Sequence, residues 1–464
     1  MLEKYAVAGS GSRQLRTQNG IGTQRQISRS KIAGPCTAWG HPKGDWKRWT
    51  HSGWERKYIE TAGDVLGAYD FHLYSKEYWA YSKESPSFDQ KKKLPTPNLY
   101  EGLKNGNPYI WDFGKAEAYL DLVYAHHQAT WSAPSLPVII SEFGRQGITP
   151  QKGPRAGDYL YYLYGTTVTR MWMNFMDRPE VQLTVPFILP WGDAGYARQR
   201  GQALYTRPED PADPSVIATP LLGFYKFFQG LDGERVVCEW QQLTEAERQG
   251  LYAIAVRKGD ELQILLHNAL PRSLDLNLDA GIPEARIARM RWEGAVPQEY
   301  TQKTNGRWRM DFQALEKVDP SALTLAAEEV AIVQFPLVTE KPSKKMVSER
   351  FYSNQTLVDI YQQDAELTIS IPDAAGDAVL VPSISAPKGF VAGTVLTVGV
   401  NGYTNSVDLG YTEGIVDLFA PVHFELPVGV LKSGDNTFTF ILETPGFKWN
   451  AKIATLRADL QGQE

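Results

Sequence analysis

Leu136-Pro137-Val138-Ile139-Ile140-Ser141-Glu142-Phe143-Gly144-Arg145 decides how this chain is read. An apolar, β-branched run entered through a proline predicts a strand buried on both faces. Glu142 then falls at or just past the carboxyl end of that strand, where the chain turns. In parallel-stranded barrels that end carries the chemistry. Glutamate is a poor strand former and has little reason to lie against a buried run unless it is used. The structural alternative is an ion pair between Glu142 and Arg145.

Working outward, residues 31–233 repeat a strand–loop–helix pattern four times, with strands near Ile32, Phe71, Ile139 and Phe187. Ile32-Ala33-Gly34-Pro35-Cys36 is a short strand ending in a proline corner, and Tyr69-Asp70-Phe71-His72-Leu73-Tyr74 alternates toward a polar end. The spacing predicts helices from about Glu55 to Leu66, Asp112 to Thr130, Asp158 to Met176 and Pro220 to Gln229. The second of these is amphipathic, with Ala116, Tyr119, Leu120 and Val123 on one side. A strand from Val181 to Leu189 ends in Pro190-Trp191-Gly192-Asp193. The alternation predicts an α/β architecture with a parallel sheet, whose strand-to-helix loops should hold the function. Those loops carry Trp39, Trp46, His72, Tyr74, Glu142, Arg145, Trp191 and Asp193. A strand-end glutamate, a second acid and a ring of aromatics suit a sugar: the pyranose C–H face stacks on aromatic rings while its hydroxyls pair with polar groups. A lone His72 at a strand end can equally be structural, and Trp191 can cap a core.

The rest of the composition sets limits. The 464 residues imply two to three domains, and a net charge of -5 gives no polyanion-binding surface, so nucleic acid is not an expected partner. Cys36 and Cys238 are too few for a disulfide framework and have no metal-ligand spacing; no metal or other cofactor is implied. No stretch approaches the roughly 20 apolar residues that span a membrane, and no apolar signal segment follows Met1. Residues 1–30 are polar and aperiodic, which reads as an irregular or disordered segment. Residues 75–106 form a long proline-containing loop whose Lys91-Lys92-Lys93 run is a solvated surface.

From residue 234 to 340 the pattern becomes short strands with turn signals, among them the Arg257-Lys258-Gly259-Asp260 hairpin turn, and predicts a β-sandwich. A Pro/Lys/Ser linker then opens a second β-sandwich over residues 346–464, with a tight turn at Asn401-Gly402.

The ordered set Ile32–Cys36, Phe71-His72-Leu73-Tyr74, Ile140–Arg145 and Leu189-Pro190-Trp191-Gly192, with two sandwiches behind it, resembles glycoside hydrolase family 86, the β-agarases and β-porphyranases. The resemblance covers about residues 31–464. It implies a partial (β/α)8 TIM-type barrel, the last four βα units, followed by the two sandwiches. The implied activity is retaining endo-hydrolysis of the β-1,4 linkages of red-algal galactans, agarose or porphyran. Glu142 would match the nucleophile, Arg145 would help keep it ionised, and His72 and Tyr74 would bond the sugar or the nucleophile. Trp191 would floor the cleavage point. The family's acid/base lies in an Asn-Glu motif closing the fourth strand, and no such pair precedes Lys31; Glu55, Glu60, Glu77 and Glu84 close no buried strand. The first half-barrel is therefore expected to be missing and the chain to be weakly active or inactive. Its open sheet edges would invite self-association. The family implies a secreted or cell-surface location, although the chain shows no signal peptide. The competing reading is a non-catalytic carbohydrate-binding protein.

Overall fold

The computed structural model describes residues 32–36, 54–76, 88–89, 94–95, 114–134, 136–146, 158–191, 202–207 and 212–236, and, with short breaks, 238–294, 306–310, 315–336 and 346–463. The expected irregular segment 1–30 lies outside these residues. Four strands, β1 (Ala33–Pro35), β2 (Ala68–Lys76), β3 (Val138–Gln146) and β4 (Val181–Pro186), lie side by side in chain order, and every pair is parallel. Helices α1 (Trp54–Ala62), α2 (Lys115–Trp131) and α3 (Asp158–Met176) connect them. The sheet is open, with β1 and β4 at its edges.

Two sequence-based boundaries change. Helix α1 stops at Ala62 rather than near Leu66: past Gly63 the Val65 N–H closes on the Ala62 carbonyl (3.0 Å), a tighter turn that departs from the helical ladder. The strand expected from Val181 to Leu189 is two strands. Pro186 ends β4, and Leu189–Trp191 pairs instead with Ala203–Thr206 in a separate three-stranded sheet. Proline carries no N–H with which to continue a ladder.

Helix α2 is not amphipathic. All residues from Ala118 to His127 are buried, Asp121 included. One flank packs on β2, where Tyr119 meets Phe71 edge-on and Tyr69 bonds His127 Nδ1 at 2.7 Å. Another flank meets strands Val416–Pro421 and Lys452–Gln463. A polar residue in a helix read from its period belongs to the solvent face; here a further layer of protein occupies that face.

Helix α3 joins the parallel sheet to an antiparallel region. Phe175 packs edge-on against Phe143 of β3, while Tyr162 meets Trp292 and Trp308 beyond it. One hydrophobic core therefore runs without a break from the parallel sheet into residues 251–335. That region is a seven-stranded antiparallel sheet with a separate two-stranded ribbon, Leu274–Leu276 on Leu323–Leu325. The last region has two sheets, of six and four strands, around their own core of residues such as Leu367, Phe438, Leu380 and Leu456. Asn401 and Gly402 both take positive φ, the geometry of the tight hairpin turn expected there.

Asp121 ties α2 to this last region. Its carboxylate receives Arg178 Nη1 at 2.9 Å, Arg457 Nη1 at 2.6 Å and the Tyr352 hydroxyl at 2.9 Å. Burial opposes its ionisation, yet the two guanidiniums outweigh burial and hold its carboxyl well below the usual range. Arg457→Met leaves part of this buried charge uncompensated and should cost about 3–5 kcal/mol in denaturant unfolding. A carboxyl depressed by folding contributes stability that is present above its unfolded pKa of about 3.9 and is lost as pH falls toward the folded value. The unfolding free energy should therefore drop below about pH 4, and less steeply in Arg457→Met.

Candidate active site

The ladder between β2 and β3 builds the site. Tyr69 pairs with Val138 and Asp70 with Ile139, but then His72 pairs with Glu142 and Tyr74 with Gly144. One residue of β2, Phe71, thus opposes two of β3, Ile140 and Ser141. The strand expected to end at Glu142 runs on to Gln146, so Glu142 lies within it, at a bulge. A bulge shifts the side-chain alternation by one residue. Ile140 and Phe143 both stay fully buried on the helix side, and Glu142 is freed to turn to the other face at 19% side-chain exposure.

On that face His72 Nδ1 lies 2.5 Å from Glu142 Oε2, in a close charge contact bent away from a straight N–H···O bond. The Tyr74 hydroxyl donates to Oε1. Cys36, just beyond β1, sets its Sγ 3.3 Å from His72 Nε2 and 3.7 Å from Ser141 Oγ. A mostly buried carboxylate with both oxygens engaged is held in one orientation, as a nucleophile or charge stabiliser must be.

Of the residues singled out from the sequence, the structure brings together His72, Tyr74 and Glu142. The Arg145 backbone pairs with Ser75, and Trp191 sits on the strand beside Ala203–Thr206. The side chains of both lie outside the described residues, as do Trp39, Trp46 and Asp193 entirely. Cys36 and Ser141 were missed as site residues. Their signal was present, since Cys36 ends a short strand and Ser141 precedes the key glutamate. Among the described residues no group of three or more His, Cys, Asp or Glu side chains could hold a metal ion, and no helix is long and apolar enough to cross a membrane.

Gly144 holds the next turn of the site in place. Its φ of +151° favours glycine, and a Cβ there would lie 2.4 Å from Tyr164 Oη. That hydroxyl donates to the Phe187 carbonyl at 2.6 Å, and the Phe187 N–H returns to Phe143 O at 2.7 Å. Phe187 in turn meets Tyr74 edge-on. Gly144→Ala should destabilise the chain by roughly 1–3 kcal/mol in chemical unfolding. Tyr164→Phe in the same background should relieve the clash and recover part of that loss.

No family model matches the chain, and no curated protein matches it. Solved structures do. BpGH86A, a β-porphyranase of glycoside hydrolase family 86 from the human gut bacterium Bacteroides plebeius, superposes at TM-score 0.70 with 16% identity, over 100% of this chain and 74% of its own. BuGH86 in complex with neoagarooctaose gives 0.71 at 16% identity, over 99% of this chain and 67% of its own. A Glu-to-Gln variant of BuGH86 with the same ligand gives 0.72 at 16%, over 98% and 67%. The resemblance read from the sequence is thus matched at the level of fold: over its whole length the chain is folded like glycoside hydrolase family 86.

Proposed function

We propose that the chain is a glycoside hydrolase of red-algal galactans in which Glu142 is the nucleophile of a retaining mechanism. The observation that carries this reading is the grip on Glu142. Its two oxygens meet His72 and Tyr74 at a bulge between parallel strands, on the face turned away from the helices. Support comes from the fold, shared with a β-porphyranase and with a protein solved around neoagarooctaose.

In such a reaction Glu142 attacks the anomeric carbon as the glycosidic C–O bond breaks, and an acid protonates the departing oxygen. The same acid, now a base, takes a proton from the water that releases the sugar. The two carboxyls must stand about 5–5.5 Å apart. Beside Glu142, His72 and Tyr74 keep its charge aimed at the sugar. We assign Trp39, Trp46 and Trp191 to stacking on the galactan, and Arg145 and Asp193 to its hydroxyls. The four parallel strands correspond in this reading to the last four βα units of a (β/α)8 barrel, followed by two β-sandwich domains, over residues 31–233, 234–340 and 346–464. The acid/base has no counterpart in the sequence, so the chain as given is proposed to turn over slowly or not at all. The open edges at β1 and β4 would let it self-associate. A polysaccharide substrate places its site of action outside the cell or at the cell surface.

The second reading, a binding protein without catalysis, draws on that same missing Asn-Glu pair. Calorimetric titration with agarose and porphyran oligosaccharides, with products followed by chromatography, separates the two. We expect binding with little or no cleavage by the native chain. Glu142→Gln should keep the affinity and abolish whatever cleavage is present. Cleavage that persists in Glu142→Gln would remove Glu142 from the nucleophile's role, and no binding by either protein would overturn both readings.

A further inference from the structure

We infer that Cys36 is a positioning residue: its neutral thiol donates to His72 Nε2 and so fixes the imidazole with its proton on Nδ1, facing Glu142. Three observations converge on this. First, the imidazole bridges sulfur and carboxylate, with Nε2 3.3 Å from Cys36 Sγ and Nδ1 2.5 Å from Glu142 Oε2. A bare Nδ1 at that distance would set its lone pair against a carboxylate oxygen, so the proton belongs on Nδ1. A neutral ring then leaves Nε2 as an acceptor, and it needs a donor.

Second, Cys36 adopts φ +39°, a left-handed conformation that a side chain rarely takes, and its N–H is anchored to the Asp70 carbonyl at 2.9 Å. Backbone in this region persists where the surroundings impose it, typically to aim a group. Here it directs the sulfur at His72 and Ser141.

Third, the surroundings keep the proton on sulfur. Burial pushes the Cys36 thiol up; a bond from Ser141 works the other way, and Asp70, through its charge and a side-chain hydrogen bond, and the charge of Glu142 push it up again. The groups facing the thiol are Asp70 and His72 from β2 and Ser141 and Glu142 from β3. The thiolate–imidazolium pair has the same net charge as the thiol–imidazole pair, but it sets a negative charge on a partly buried sulfur beside Asp70 and Glu142, which burial and those carboxylates oppose. The thiol–imidazole form leaves the sulfur uncharged. Cys36 is thereby a hydrogen-bond donor in the site and not a nucleophile of its own.

The inference rests on the proposed role of Glu142 only for its consequence in turnover, where loss of the thiol should lower kcat without raising KM. The tautomer itself is measured without substrate. In protein carrying 15N-histidine, the His72 signals are assigned by their loss in His72→Gln. At neutral pH we expect a protonated Nδ1 and a bare Nε2 in the native chain. That pattern should be lost in Cys36→Ala and restored in Cys36→Ser, which keeps a donor. An unchanged pattern in Cys36→Ala, or an imidazolium in the native chain, would overturn the inference. A second measurement leaves Cys36 in place. In a Cys238→Ser background, the rate of iodoacetamide labelling at Cys36 should rise with a midpoint above the free-thiol value of about 8.5. A midpoint below about 7 would mean a thiolate beside His72 and would refute the donor role. A chain that binds no galactan oligosaccharide but shows the expected tautomer would overturn only the proposed function, and a galactan-binding chain with the wrong tautomer only this inference.

Discussion

The buried carboxylate of Asp121 is the constraint on which the placement of the rest depends. It sits in the middle of α2, out of water, and draws Arg178 from the turn before β4 together with Arg457 and Tyr352 from the last region. Glu117, one helical turn earlier, adds a second anion 2.9 Å from Arg457. Burying such a group costs several kcal/mol unless partners satisfy it, so the three elements must meet in one arrangement or the charge is stranded. Because β2 rests on the same helix through Phe71 and Tyr69, the arrangement also fixes where His72 and Tyr74 stand. The last region thus acts at a distance on the candidate site, by locking the helix behind it.

A parallel sheet ordinarily needs cover on both faces. In this chain α1, α2 and α3 cover one, and α3 extends the same core into the seven-stranded sheet. The other face holds Glu142 and, on β4, Leu183 and Val185, which are 52% and 43% exposed. Thr184 between them is turned toward the helices, where Trp172 donates to it at 3.1 Å. Among the described residues, the packing that stabilises the region lies on its helix side. That division is what allows a carboxylate, an imidazole, a phenol and a thiol to share a small space beside a well-packed core.

Much of this was legible. Helix α3 falls on the residues its period indicates, Asp158 to Met176, and the strand cores near Phe71 and Ile139 are where β-branched and aromatic residues cluster. Glu142, His72 and Tyr74 were found because a polar residue at the end of an apolar strand is conspicuous. Other features left no local trace. The bulge at Ile140–Ser141 depends on which residues of β2 lie opposite, and pairing is not a property of one strand. The burial of α2 depends on strands more than two hundred residues away. Cys36 gained a role only when β1 came to lie against β2.

The sequence by itself determined the order of elements, the parallel α/β part and the β-rich remainder, and it singled out Glu142, because hydrophobic period and turn residues act over a few neighbouring positions. The tertiary structure alone decided which face Glu142 uses, which groups hold its two oxygens, and that a thiol stands behind His72. Those are contacts between residues 36, 72, 74 and 142, and only the packing of strands across α2 and α3 sets the distances among them.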